Sequence, residues 1–157
     1  MWRAGRQSIR IKLRIINQYD LELSKRIPDY GALLRILCDV RFWAPNGWTE
    51  AEYAILDTGA HTSLLPLSLW RGLGVQIIAD HFVRGLVPKK ECKIAVKVGW
   101  VKGKIVDKEG NSTPETNFKA FLALTDNIPL IVGFKDLLEK YRINIDVTRD
   151  KAFIERK

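Results

Sequence analysis

The stretch Ala54-Ile55-Leu56-Asp57-Thr58-Gly59-Ala60-His61-Thr62-Ser63-Leu64-Leu65-Pro66 constrains this chain more than any other. A hydrophobic run ends in an acid, a small hydroxyl residue and a glycine. The chain then turns apolar again and meets a proline. A carboxylate at the end of a buried strand is costly unless it has hydrogen-bond donors, a partner or a chemical reason to be there. Gly59 permits a tight, close-packed loop that a side chain would obstruct. Its amide can also donate to the carboxylate.

The rest of the composition narrows the setting. At 157 residues the chain has the length of one ordinary domain, and 46% apolar residues are enough for a core. Residues 1–157 are read as a single domain, since no linker rich in Pro, Gly or Ser divides them and no tandem repeat is visible. No apolar stretch nears the roughly 20 residues of a spanning helix, so no membrane is expected. The N-terminus is basic, but Arg10, Lys12 and Arg14 interrupt any apolar segment after it, which argues against a secretory signal. Cys38 and Cys92 suit neither a disulfide framework nor a metal site and read as small buried residues of a reducing compartment. A cytoplasmic location follows.

His61 and His81 lack further Cys or His support, so neither a metal nor a cofactor is expected. The net charge of +8 raises a nucleic-acid reading. The 26 Lys and Arg residues are scattered, however, which favours a solvated basic surface and argues against a nucleic-acid partner. Trp43, Trp48, Trp70 and Trp100 read as core and hairpin packing rather than a base-stacking platform.

In chain order, residues 8–16 alternate apolar and basic, predicting a half-buried strand with Ile9, Ile11, Leu13 and Ile15 inward. A polar connection runs from Asn17 to Tyr30. Residues 32–43 predict a second strand, Pro45-Asn46-Gly47 a hairpin turn, and Thr49 to Leu56 a third strand that delivers Asp57. Pro66 to Trp70 predicts a short helix stopped by Gly72 and Gly74. Residues 75–83 and 91–101 form a long hairpin around Arg84 to Lys90. Residues 103–117 are the most loop-like part and read as an exposed insertion. Phe118 to Leu124 is another strand. Phe134 to Tyr141 has helical spacing, with Phe134, Leu137, Leu138 and Tyr141 on one face. Residues 143–147 and 152–154 close the chain as a hairpin. Many short strands without βαβ alternation disfavour a parallel doubly wound sheet.

These residues resemble a family. Ala54-Ile55-Leu56-Asp57-Thr58-Gly59-Ala60 is similar to the active-site loop of retropepsin-like aspartic proteases. Leu130-Ile131-Val132-Gly133-Phe134-Lys135-Asp136-Leu137-Leu138 resembles that family's second signature. The long hairpin lies between the two, where the family keeps its flap. The resemblance covers about Leu33 to Ile154 and leaves residues 1–30 as an N-terminal extension. It implies an all-β, mainly antiparallel closed barrel or sandwich with one or two short helices. A start at Met1 without flanking viral segments points to a stand-alone cellular member.

The resemblance also assigns roles. Asp57 is the catalytic residue, and Thr58 and Gly59 belong to the active-site loop. Two carboxylates in contact cannot both ionise, so one acts as base on a water and the other as acid toward the scissile carbonyl. Only one Asp-Thr-Gly occurs, so the second aspartate must be Asp57 of another copy and the partner is a second chain in a homodimer. Strands that include 152–155 are then expected at the interface. Ala60, His61, Phe82, Val83, Arg84, Gly85 and Leu86 are the expected contacts for a peptide or protein substrate. His61 departs from the family's usual Asp or Ser, and Gly85 is the one glycine near the flap tip. A non-catalytic binding module of the same fold, holding a peptide or nucleic acid, is the alternative. An N-terminal extension that blocks the cleft or the dimer is a third reading.

Overall fold

The computed structural model describes residues 8–84 and 93–157. Its strands are β1 (Arg10–Lys12), β2 (Arg14–Gln18), β3 (Leu33–Ala44), β4 (Gly47–Trp48), β5 (Glu52–Leu56), β6 (Ser63–Leu65), β7 (Gln76–Arg84), β8 (Lys93–Val106), β9 (Thr116–Ala123), β10 (Ile131–Val132), β11 (Tyr141–Asp146) and β12 (Lys151–Arg156). Two short helices, α1 (Leu21–Arg26) and α2 (Leu67–Arg71), accompany them.

The main ladder closes on itself. β3 pairs with β5, β5 with β10, β10 with β6, β6 with β9, β9 with β8, and β8 returns to β3. Closure leaves these strands no open edge within the ring. Alternation along each strand decides what fills it. Val40 and Phe42 of β3, Val101 and Ile105 of β8, and Phe118 and Leu122 of β9 are buried inside. Their sequence neighbours Arg41, Trp43, Lys102, Lys104 and Lys119 face outward. Each large apolar side chain so buried contributes roughly 1.5–3 kcal/mol. Cys38 sits in this core, and burial, reinforced by the Asp39 charge, pushes its thiol up to about 12. A smaller sheet, β1-β12-β11, packs Ile11 and Ile154 into the same core.

The mainly antiparallel, all-β architecture agrees with the sequence pattern, and several local expectations need correction. Residues 8–16 are two strands in two sheets, not one. Leu13 is buried between them, while Ile9 is exposed. The Asn17 to Tyr30 connection contains α1, whose start is capped by Asp20: the Leu23 N–H donates to Asp20 Oδ1 at 2.9 Å. No α1 residue is buried, so hydrophobic periodicity carried no signal for it. The expected third strand shortens to β5, and Gly47, expected in the turn, opens the two-residue β4 with Trp48.

Gly103 to Val106 continues β8, and Thr116 opens β9, so the loop-like segment narrows to 107–115. Glycines at 103 and 110 made it read as loop. Gly103 in fact allows close strand approach, since a Cβ there would meet Phe118 at 3.2 Å and the Arg41 carbonyl at 3.3 Å.

Phe134 to Tyr141 is not an α-helix. It is a turn followed by a single 3₁₀ turn, Leu138–Lys140. Asp136 takes a φ of 60°, which ends helical propagation. That conformation is held because its carboxylate accepts from the Lys119 N–H at 3.0 Å, while its own N–H donates to Glu139 Oε1 at 2.9 Å. Finally, β12 is interior to its sheet. Both its edges are taken, by β1 and β11 of the same chain, so it offers a partner no edge.

Candidate active site

β5 carries Asp57 out of the core at its C-terminal end. Ala54 and Leu56 are buried, which fixes the strand's inward face. β10 then inserts between β5 and β6, parallel to β5 and antiparallel to β6. Two segments from opposite ends of the sequence are thereby locked together. The Ile55 N–H donates to the Leu130 carbonyl at 2.9 Å, and the Asp57 N–H donates to the Val132 carbonyl at 3.0 Å.

The loop between β5 and β6 is organised by short-range bonds. The Gly59 N–H donates to Asp57 Oδ1 at 2.8 Å, and the Ala60 N–H to the Asp57 carbonyl at 3.2 Å. The half-buried Asp57 carboxylate is therefore oriented by a backbone amide, while Thr58 and Gly59 are exposed. The loop's far side is tied to the segment after β10. Phe134 N–H donates to the Ala60 carbonyl at 3.1 Å, and Lys135 N–H to the His61 carbonyl at 2.7 Å.

Gly133 lies where these backbones cross. A Cβ there would meet the Ala60 carbonyl oxygen and the Thr62 carbonyl carbon, both at 2.8 Å, and neither backbone atom can swing away. The buried Gly133 N–H is satisfied by Ser63 Oγ at 3.0 Å. Ser63 was not singled out by sequence reasoning. Its signal is a hydroxyl at the inward position of the run Ser63-Leu64-Leu65. The tripeptide at 57–59, the glycine at 133 and the serine at 63 thus form one unit across 76 residues of sequence (133 − 57).

No family model matches the sequence, and no curated protein matches it. Among solved structures, the chain is similar to a retropepsin-like aspartic protease from Rickettsia conorii. The superposition covers 99% of this chain and 97% of that one, with a TM-score of 0.52 and 17% sequence identity.

The fold is retropepsin-like.

At 17% identity that likeness concerns the backbone course, and the chemistry rests on this chain's own residues. Within the retropepsin-like fold, Asp57, Thr58, Gly59, Ala60 and His61 lie together on the β5–β6 loop. His61 is exposed, its Nδ1 3.0 Å from Thr62 Oγ1. Ala60 and His61 also serve structurally, since their carbonyls hold the 133–135 segment.

Phe82, Val83 and Arg84 lie at the far end of β7, paired with Ala95, Ile94 and Lys93 of β8. The predicted long hairpin is thus formed, with a register irregularity between Ile77 and Ala79. Phe82 is exposed, and among the described residues no hydrogen bond joins β7 to the 57–63 loop. Gly85 and Leu86 lie outside the described residues.

The buried carboxylate Asp39 on β3 is occupied structurally: Arg14 donates to it at 2.7 Å. The Arg14 guanidinium also lies 4.4 Å over the Tyr53 ring. No helix among the described residues is long and apolar enough to cross a membrane.

Proposed function

We propose that this protein is an aspartic endopeptidase that acts as a homodimer. Two Asp57 carboxylates, one per subunit, share a proton. One takes a proton from the attacking water, and the other protonates the scissile carbonyl oxygen. The observation that carries this reading is the Asp57 carboxylate itself: it sits at the mouth of a rigid β5–β10–β6 crossing, oriented by the Gly59 N–H at 2.8 Å. Exposure of Thr58 and Gly59 beside it supports a second loop docking there, and a lone carboxylate has no acid–base partner. The whole chain serves as a single retropepsin-like domain. The β7–β8 hairpin acts as a flap over an extended peptide, which Ala60, His61, Phe82, Val83, Arg84, Gly85 and Leu86 contact.

The test is a peptide-library cleavage assay at mildly acidic pH on wild type and Asp57→Asn. The substitution keeps the shape and one acceptor oxygen but cannot share a proton across the pair. Cleavage should drop by about 10²–10⁴-fold or more, with circular dichroism and sedimentation unchanged. Full cleavage by the cleanly purified variant would overturn the assignment.

A further inference from the structure

Of the four tryptophans read as packing residues, one behaves so fully. Trp70 is buried and its Nε1–H donates to the Ala123 carbonyl at 2.7 Å. Trp43, Trp48 and Trp100 instead gather on the outward face of the barrel. Trp43 is 43% exposed and Trp100 36% exposed. Trp43 and Trp48 pair edge to face with centroids 5.3 Å apart.

Each ring carries a lysine ammonium. Lys102 Nζ is 5.3 Å from the Trp43 centroid, Lys104 Nζ 4.3 Å from Trp48, and Lys119 Nζ 5.0 Å from Trp100. Between Trp43 and Trp100 runs an open groove of about 440 Å³, walled also by Lys102 and Asn117. Arg41 stands opposite Lys104 across the β3–β8 ladder.

This face lies away from Asp57. Leu37 of β3 pairs with Ile55, beside the acid, and Trp43 lies six residues farther along the strand. At about 3.3 Å per residue the platform is roughly 20 Å from the loop end of β5.

We propose that this outward face of β3, β4, β8 and β9 binds single-stranded nucleic acid, with bases on Trp43 and Trp100 and phosphates against Lys102 and Lys104. Large rings left in water beside cations suit a ligand that is both flat and anionic. A base offers a π-face to any exposed indole, and a phosphate to its ammonium. A duplex would present phosphates but keep its bases stacked inside, and a neutral sugar would use the rings but not the three ammoniums. Lys102 and Lys119 are held by Glu115 at 3.1 Å and Asp136 at 3.7 Å. Lys104 has no carboxylate within ion-pair distance among the described residues. The chain's net charge of +8 draws in a polyanion from a distance.

The experiment is fluorescence anisotropy of a fluorescein-labelled oligouridine titrated with the full chain, at about 50 mM and about 200 mM salt. Binding should weaken steeply at the higher salt and quench tryptophan emission. Trp100→Ala should weaken it about tenfold or more. Lys104→Ser should weaken it modestly and lower the salt slope by about one. If Trp100→Ala melts early, Lys104→Ser and an abasic strand of equal length decide the matter. The abasic strand should bind at least tenfold more weakly. Absence of binding at the lower salt, equal affinity for the abasic strand, or a salt slope unmoved by Lys104→Ser would each overturn the proposal. Heparin binding more tightly than oligouridine, with no dependence on Trp100, would assign the face to sulfated polysaccharide and overturn it likewise. Peptide cleavage, read in parallel, should be unchanged in Lys104→Ser.

Discussion

Gly133 shows how a single missing carbon can hold a site together. Its Cα sits under the β5–β6 loop, with backbone atoms of Ala60 and Thr62 where a Cβ would go. Gly133→Ala should force the two segments apart at a cost of about 1–3 kcal/mol or more, seen as a melting temperature lowered by several degrees. The proposed peptidase activity should fall with it, because Asp57 N–H is bonded one residue away to Val132. An unchanged melting curve would mean that the loop yields more easily than its geometry implies.

Cys38 offers a second residue-scale check. A thiol with its pKa raised to about 12 is protonated throughout the physiological range. In a Cys92→Ser background, a thiol reagent at pH 8 should leave the native protein unlabelled and label Cys38 only after unfolding. The linkage has one sign. The unfolded thiol ionises near its ordinary 9.0 and the folded one only near 12, so stability present below about pH 9 declines as pH rises through that interval.

At the scale of elements, α2 illustrates capping from afar. Pro66 has no side-chain hydrogen bond to give the helix start. Asp126, from the β9–β10 connection, accepts the Ser68 N–H at 2.7 Å instead. That bond, with the Ser68 hydroxyl, holds the Asp126 carboxyl below its usual range. Asp107 is also held low: burial alone would raise it, but bonds from Lys12 N–H, Asn111 and Glu109 N–H outweigh that. For both, the ionised form is favoured by folding. Their stabilisation is therefore present above the ordinary value of 3.8 and lost as pH falls below it. Melting temperatures should drop between about pH 4 and pH 2, and Asp107→Asn and Asp126→Asn should each flatten part of that drop.

The terminal sheet makes another element-scale prediction. The Leu13 N–H donates to the Ala152 carbonyl, so Ala152 and Ile154 turn their backbone groups toward β1. In the paired ladder, Ile143 and Ile145 of β11 then point theirs away from β12, to a side where no strand among the described residues pairs. On β1 the outward Lys12 N–H is already taken by Asp107 Oδ2 at 3.0 Å. β11 is thus the edge at which a second copy can add a strand. Ile145→Pro removes an outward donor without touching the β11–β12 ladder. Sedimentation should then show a species near 18.0 kDa rather than twice that. A persistent dimer in this variant would locate the interface elsewhere.

For the whole molecule, dimerisation and catalysis are one equilibrium if Asp57 is half of a site. Specific activity should fall on dilution while circular dichroism stays constant, and a monomeric variant should be folded but inactive. Activity independent of concentration across a range where sedimentation shows monomer would exclude a shared site.

Much of this molecule was legible in its letters. Alternation in residues 8–16 put Ile11 and Leu13 inward, as they are, because a pleated strand offers its side chains alternately to two faces, and missed only at Ile9. Asp57, Thr58 and Gly59 stood out as an acid, a hydroxyl and a glycine closing a hydrophobic run, and Gly133 through its resemblance to a known signature. Other features depended on which distant strands became neighbours, and no local pattern encodes that. The closure of the ring through β3 and β8, the splitting of 8–16 between two sheets, the Asp39–Arg14 pair and the Ser63 hydroxyl beneath Gly133 all belong to this class. So does the aromatic face: a tryptophan's size argues for burial, and only the register of β3 against β8 brought Trp43 out beside Lys102. The sequence by itself determined the inward rows and the loop chemistry, both being short-range consequences of sterics and hydrophobicity. Tertiary structure alone decided which outward rows meet, because strand pairing sums weak contacts between segments far apart in the chain.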